Sequence, residues 1–194
     1  VIRARRLEKR YGAKRALRPV DLELGRGGRL LVTGPNGSGK TTLLRLLAGL
    51  AAPSRGELEV REERGRLGYL GHEPLLYRDL TALENLELYG RLYRVPERRE
   101  RAGMLLERFD LWDARSERVG AFSRGMVQRL ALCRVLLHDP SLLVLDEPFT
   151  ALDADGAALL DRELATLGTD RTLVLSTHDP ARVDALATSR LALA

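Results

Sequence analysis

The 194-residue sequence is 44% hydrophobic and 30% charged, a balance that suits a single soluble globular domain built from subdomains. Charges interrupt every apolar run, so no stretch has the length of a membrane span, and the lone Cys133 excludes an internal disulfide and fits a reducing, cytoplasmic setting. The net charge of +5 does not point to nucleic acid, because arginines and acids interleave, as in Arg61-Glu62-Glu63-Arg64, and no basic block stands alone.

In chain order, the basic start Val1-Ile2-Arg3-Ala4-Arg5-Arg6 is not followed by an apolar segment, so no signal peptide is expected. Residues 2–11 and 16–24 read as two strands with a hairpin-like connection at Gly12. Leu30–Thr33 is a third, apolar strand. It runs into Gly34-Pro35-Asn36-Gly37-Ser38-Gly39-Lys40-Thr41, which fits the phosphate-binding pattern G-x-x-x-x-G-K-[ST], and Thr42–Ala48 reads as the helix leading out. Glycines let the backbone N–H groups turn inward on phosphate oxygens, and the helix adds its positive dipole end. Lys40 is expected to reach the β- and γ-phosphates, and the Thr41 hydroxyl to ligate Mg²⁺. Gly49 ends the helix, Pro53–Gly56 is a turn, and Leu58–Val60 and Leu67–Leu70 are short strands.

From about Thr81 to Leu137 the pattern is helical. Thr81 and Glu84 have capping-box spacing, Pro96 is expected to begin a second helix with Glu97 and Arg98 in its first turn, and Ser123 to cap a third. Cys133, among Ala131, Leu132, Val135 and Leu136, reads as a packing residue. Alternation then resumes: a strand at Leu142–Leu145, a helix near 154–167, a strand at Thr172–Leu175, a short helix from Pro180 and a strand near 189–193. The expected fold is α/β, a mostly parallel sheet with helices on both faces and a helical insertion within it.

Leu142–Leu145 ends in Asp146-Glu147. At the carboxyl edge of a parallel sheet this places two acids beside the phosphates: Asp146 to hold Mg²⁺, directly or through water, and Glu147 as the general base that polarises the attacking water. His178, just past the next strand, could contact the γ-phosphate or be an ordinary loop histidine.

Phe122-Ser123-Arg124-Gly125-Met126-Val127-Gln128-Arg129, shortly before the Asp-Glu strand, resembles the signature segment of the ATP-binding-cassette (ABC) ATPases, and the resemblance covers nearly the whole chain. It implies a P-loop NTPase of ABC type, with a RecA-like parallel sheet, an antiparallel β subdomain and an inserted helical subdomain. The core would be about 1–80 and 138–194 and the helical lobe about 81–137. Tyr11 resembles the aromatic that stacks on adenine. Gly34, Pro35, Asn36, Gly37, Ser38, Gly39, Lys40, Thr41 and Thr42 resemble the Walker A nucleotide-binding residues, and Leu142–Asp146 resembles Walker B with Glu147 as catalytic glutamate. Ala151-Leu152-Asp153 resembles the D-loop, and His178 resembles the switch histidine. The resemblance further implies ATP and Mg²⁺ as cofactors and an ATP-dependent head-to-tail homodimer, in which Ser123, Arg124, Gly125 and Met126 of one copy close over the nucleotide of the other. Its other implied partner is a polytopic membrane subunit docked on the helical lobe, with the chain peripheral on the inner face of the cell membrane and no nucleic acid partner.

Two positions depart from the family pattern. His72, in Gly71-His72-Glu73-Pro74, stands where the Q-loop glutamine is usual, and imidazole nitrogen suits hard Mg²⁺ poorly. The signature's usual Ser-Gly-Gly-Gln is Ser123-Arg124-Gly125-Met126. His72 with Leu80–Leu86 and Glu147–Asp153 resembles the ATP-binding subunit of the haem exporter of cytochrome c maturation, which makes haem the first expectation for a substrate. Alternatives are an exporter of a drug, lipid or other small molecule, and a soluble ABC ATPase of an assembly system. A guanine-specific switch is set aside, because neither Asn36 nor Asn85 begins Asn-Lys-x-Asp.

Overall fold

The structure, a computed structural model, describes residues 1–62 and 64–194; Glu63, one of the interleaved charges, lies outside the described residues. The described chain divides into two compact units, Val1–Gly71 with Ser141–Glu147 and Gly168–Ala194, and His72–Pro140 with Pro148–Leu167.

In the first unit, inward residues at every second position form strands β1 (Ile2–Tyr11) and β2 (Lys14–Leu24), which pair antiparallel; β4 (Arg55–Val60) pairs on the other edge of β1. The inward set shifts from Ile2 and Ala4 to Leu7, because the β1 register slips between Ala4 and Leu7, where Arg6 takes φ +46° and donates its N–H to Asp21 Oδ1 at 2.8 Å.

The second sheet is parallel, in the order β5 (Leu67–Leu70), β6 (Leu142–Asp146), β7 (Thr172–Ser176), β3 (Arg29–Thr33) and β8 (Ser189–Ala192). Its central strands carry unbroken apolar runs because both faces are covered. On one face Leu30, Val32, Leu142, Val144 and Val174 join Leu43, Leu44, Leu46 and Leu47 of helix α1 (Lys40–Leu47) and the inward residues of the antiparallel sheet in one core. On the other, Leu31, Leu173 and Leu175 meet Val183 of helix α6 (Pro180–Val183) and Leu186 beyond it. At about 1.5–3 kcal/mol per fully buried leucine, α1 is held by its apolar face rather than by its eight residues of helix propensity.

The second unit is helical. Helix α2 (Ala82–Leu92) starts with the expected capping box: Thr81 Oγ1 accepts from Glu84 N–H at 3.2 Å, and the Glu84 carboxylate accepts from Thr81 N–H at 2.8 Å. These bonds hold the Glu84 carboxyl below its usual pKa. Helix α3 (Arg98–Arg108) differs from expectation: Pro96 lies outside it and Glu97, at φ +47°, is its cap, so the left-handed turn at 97 delays the start. Helix α4 (Arg124–Leu136) is capped by Ser123 as expected, and helix α5 (Ala154–Ala165) by Asp153, whose carboxylate accepts from Gly156 N–H at 2.8 Å. Arg108 on α3 pairs with Glu163 on α5 at 3.1 Å. Cys133 is buried on α4, and burial, with the nearby Glu163 charge, pushes its thiol far above the ordinary range, as a packing residue requires. The unit is wider than the expected lobe at 81–137: it begins at His72 and takes in 148–167. No helix among the described residues is long and apolar enough to cross a membrane.

Candidate nucleotide site

Strands β6, β7 and β3 lie side by side and parallel, so their carboxyl ends share one edge of the sheet, the edge where α/β folds bind ligands. That edge carries the glycine-rich loop after β3, Asp146 closing β6 with Glu147 just past it, and Ser176 closing β7 with Thr177 and His178 just past it.

The loop needs its glycines. Gly34 and Gly39 adopt φ +146° and +103°, and a Cβ would sit 2.5 Å from the Leu193 carbonyl at the first and 2.6 Å from the Ala16 carbonyl at the second. The same contact presses the β1–β2 hairpin, which ends in Tyr11, against the loop. Tyr11 is half exposed, with Lys9 Nζ 4.9 Å from its ring centroid. The Lys40 side chain is buried and folds back over the loop, its Nζ donating to the Gly34 carbonyl at 2.7 Å and the Pro35 carbonyl at 3.3 Å. The Ser38 hydroxyl oxygen is buried without a hydrogen-bond partner among the described residues, the state of a donor shaped for a ligand oxygen. Thr41 and Thr42 follow Lys40 in the first turn of α1.

At the carboxylate pair, Asp146 is 2% exposed, and its Oδ1 accepts from Ser176 Oγ at 2.6 Å. Glu147 is also buried and sits at φ +51°, a left-handed conformation that costs a non-glycine residue about 1 kcal/mol. Its N–H donates to Ser176 Oγ at 3.0 Å, and its Oε2 accepts from His178 N–H at 3.0 Å. His178 Nε2 lies 3.2 Å from Glu147 Oε1, so the two expected catalytic side chains are in direct contact. Across the ladder on β5, burial and then the Asp146 charge raise the pKa of Tyr69, which keeps its phenol neutral.

In the second unit, His72 sits on the exposed loop that follows β5, two residues past Leu70, whose register partner is Leu145. Ser123 Oγ accepts from Met126 N–H at 3.2 Å, so one of the helix-start donors is already taken within the chain. Arg124 is exposed beside it. A Cβ on Gly125 would lie 3.3 Å from the Ala151 carbonyl, which brings the signature-like segment and the loop before Asp153 together.

A family model described as ABC transporter matches residues 17–150. The chain belongs to this family. It is 44% identical over 192 residues to the daunorubicin resistance ATP-binding protein DrrA3 of Streptomyces coeruleorubidus, an alignment of 93% of this chain and 61% of that one, so the chain spans about three fifths of that relative. To the ABC transporter ATP-binding protein NatA of Bacillus subtilis it is 36% identical over 199 residues, 96% of this chain and 81% of the other. Among solved structures it superposes at a TM-score of 0.90, with 27% identity, on a dimeric ATP-binding cassette in a post-hydrolysis state bound to ADP and Pi, covering 100% of this chain and 94% of that one. The fold is that of an ABC cassette, as the motifs implied. Neither relative is named as a haem exporter, so the subfamily expectation narrows back to the family.

Three residues of this cassette escaped sequence reasoning. Ser176 is a polar residue closing an apolar strand, which was expected to end one residue earlier. Tyr69 faces the Asp146 charge from the neighbouring strand. Gln128, given no role of its own within the signature-like segment, donates from Nε2 to the Pro148 carbonyl at 2.9 Å.

Proposed function

We propose that this chain is the ATP-binding and ATP-hydrolysing part of an ABC transporter that drives transport through a separate membrane subunit. The observation that carries the reading is the shared sheet edge: a glycine cradle with a buried lysine on β3, and on β6 and β7 a carboxylate pair held by a serine and a histidine. Lys40 exchanges its two loop carbonyls for β- and γ-phosphate oxygens, and the Ser38 hydroxyl finds a partner there. Tyr11 stacks on the base. Thr41 and Asp146 offer oxygen donors of the kind Mg²⁺ takes. Mg²⁺ bound there would neutralise charge on the phosphates. Glu147 accepts the proton of the attacking water, and His178 fixes the orientation of that carboxylate.

Ser123 and Gly125 of a second copy close over the γ-phosphate, with Asp153 alongside, so ATP joins two chains and hydrolysis loosens them. Among the described residues, the exposed large apolar side chains other than Tyr11 and Leu50 belong to the second unit, Leu75, Tyr77 and Leu92 among them, and this supports that unit as the surface for the membrane subunit. The names of the relatives favour a drug-like or other small-molecule cargo. Haem remains as a second reading, favoured by Gly71-His72-Glu73-Pro74.

Affinity capture of the tagged chain from membranes of its own source is expected to bring down a polytopic membrane protein, together with Mg²⁺-dependent ATPase activity. Capture of activity with only non-membrane assembly proteins would move the chain to the assembly class. For His72→Gln we expect turnover equal to or faster than that of the parent in a phosphate-release assay, since a neutral amide oxygen serves Mg²⁺ and water better than imidazole. Complete loss of turnover would assign His72 a role of its own.

A further inference from the structure

Ser176 has no expected part in the chemistry, yet it touches both members of the carboxylate pair. It is fully buried at the end of β7, in register with Asp146. Its hydroxyl is used twice: it donates to Asp146 Oδ1 at 2.6 Å and accepts from the Glu147 N–H at 3.0 Å. Its carbonyl accepts from the same N–H at 3.2 Å. The two bonds of the hydroxyl differ in consequence. Glu147 N–H has the Ser176 carbonyl as a second acceptor, so removing the hydroxyl leaves that donor satisfied. The carboxylate of Asp146, buried and charged, would lose a short charge-assisted bond that selects its rotamer.

We propose that Ser176 is a positioning residue for hydrolysis: its hydroxyl aims the Asp146 carboxylate at the cation position. The proposal rests on the ATPase reading above. A hydroxyl is required because the buried carboxylate takes its bond from an O–H donor, which alanine and valine lack.

The test compares wild type, Ser176→Ala, and the near-isosteric pair Ser176→Thr and Ser176→Val, each checked for cooperative unfolding. Two readouts are taken: kcat and KM for ATP, and equilibrium binding of a fluorescent ATP analogue in EDTA and across a Mg²⁺ titration. Partners that orient a metal ligand are worth about 10–100-fold in metal affinity or activity. Ser176→Ala is therefore expected to lower kcat and to raise the Mg²⁺ midpoint by about that factor, with EDTA binding within about threefold of wild type. Threonine is expected to regain most of both losses and valine neither. The idea is overturned if alanine keeps the wild-type Mg²⁺ midpoint and kcat, if threonine and valine behave alike, or if binding in EDTA falls as far as binding with Mg²⁺, since the effect would then be general damage. Should alanine not fold, the threonine–valine difference decides. Should wild type bind the analogue with Mg²⁺ but not hydrolyse ATP, the ATPase reading fails, while the Mg²⁺ midpoints still judge Ser176.

Discussion

Lys40→Ala is expected to reduce ATP affinity by about 100-fold or more and to remove measurable turnover. The lysine is one cation serving two phosphates, and a hydrogen bond to a charged group is worth about 1.5–3 kcal/mol, so losing two such bonds exceeds the 2.8 kcal/mol or so that corresponds to 100-fold. Alanine also releases the Gly34 and Pro35 carbonyls from Nζ, so the cradle loses an internal tie as well as its charge. Equilibrium binding of a fluorescent ATP analogue and phosphate release are the measurements. Because the substitution leaves the core leucines of α1 in place, the variant should unfold cooperatively with a midpoint near that of the parent. A folded Lys40→Ala chain with unchanged ATPase activity would defeat the assignment of the loop.

Glu147→Gln is expected to separate binding from chemistry. The amide has the shape of the carboxylate, and its oxygen can still accept the His178 N–H now held at 3.0 Å, so the turn at φ +51° keeps its side-chain tie. What disappears is the ability to take a proton. General-base catalysis contributes about 10²–10⁴-fold, and kcat should fall within that range while nucleotide affinity stays near that of the parent. With the γ-phosphate retained, two copies should remain joined, and size-exclusion chromatography with Mg²⁺ and ATP should show a longer-lived dimer. Only monomer in that experiment would count against the sandwich for the isolated chain. Undiminished hydrolysis would point to another base.

Local signals made much of this legible. The Gly34–Thr41 pattern, the Thr81–Glu84 capping box and the Ser123 cap depend on neighbours within a few residues, and the structure has the loop and both caps. The carboxyl-edge placement of Asp146 follows from an apolar strand in an alternating chain. What could not be read depends on register or on distant packing. Pro96 looked like a helix start, but a left-handed Glu97 intervenes. Ser176 is 30 residues from Asp146 and meets it only because β6 and β7 align at that rung. The direct contact of His178 with Glu147 likewise needs the turn at Glu147, which no residue preference announces.

The position of β3 between β7 and β8 has a consequence for synthesis. The loop that follows β3 is made well before the strand that closes on it: Gly34 is walled by the Leu193 carbonyl and Thr33 accepts from Leu193 N–H, across about 160 residues of chain. At roughly 5–20 residues per second, the nascent loop waits on the order of 8 to 32 s for its last wall. Until then Gly34 lacks its outer wall, although Gly39 already has the Ala16 carbonyl beside it, so the cradle is completed only after the helical unit has been translated.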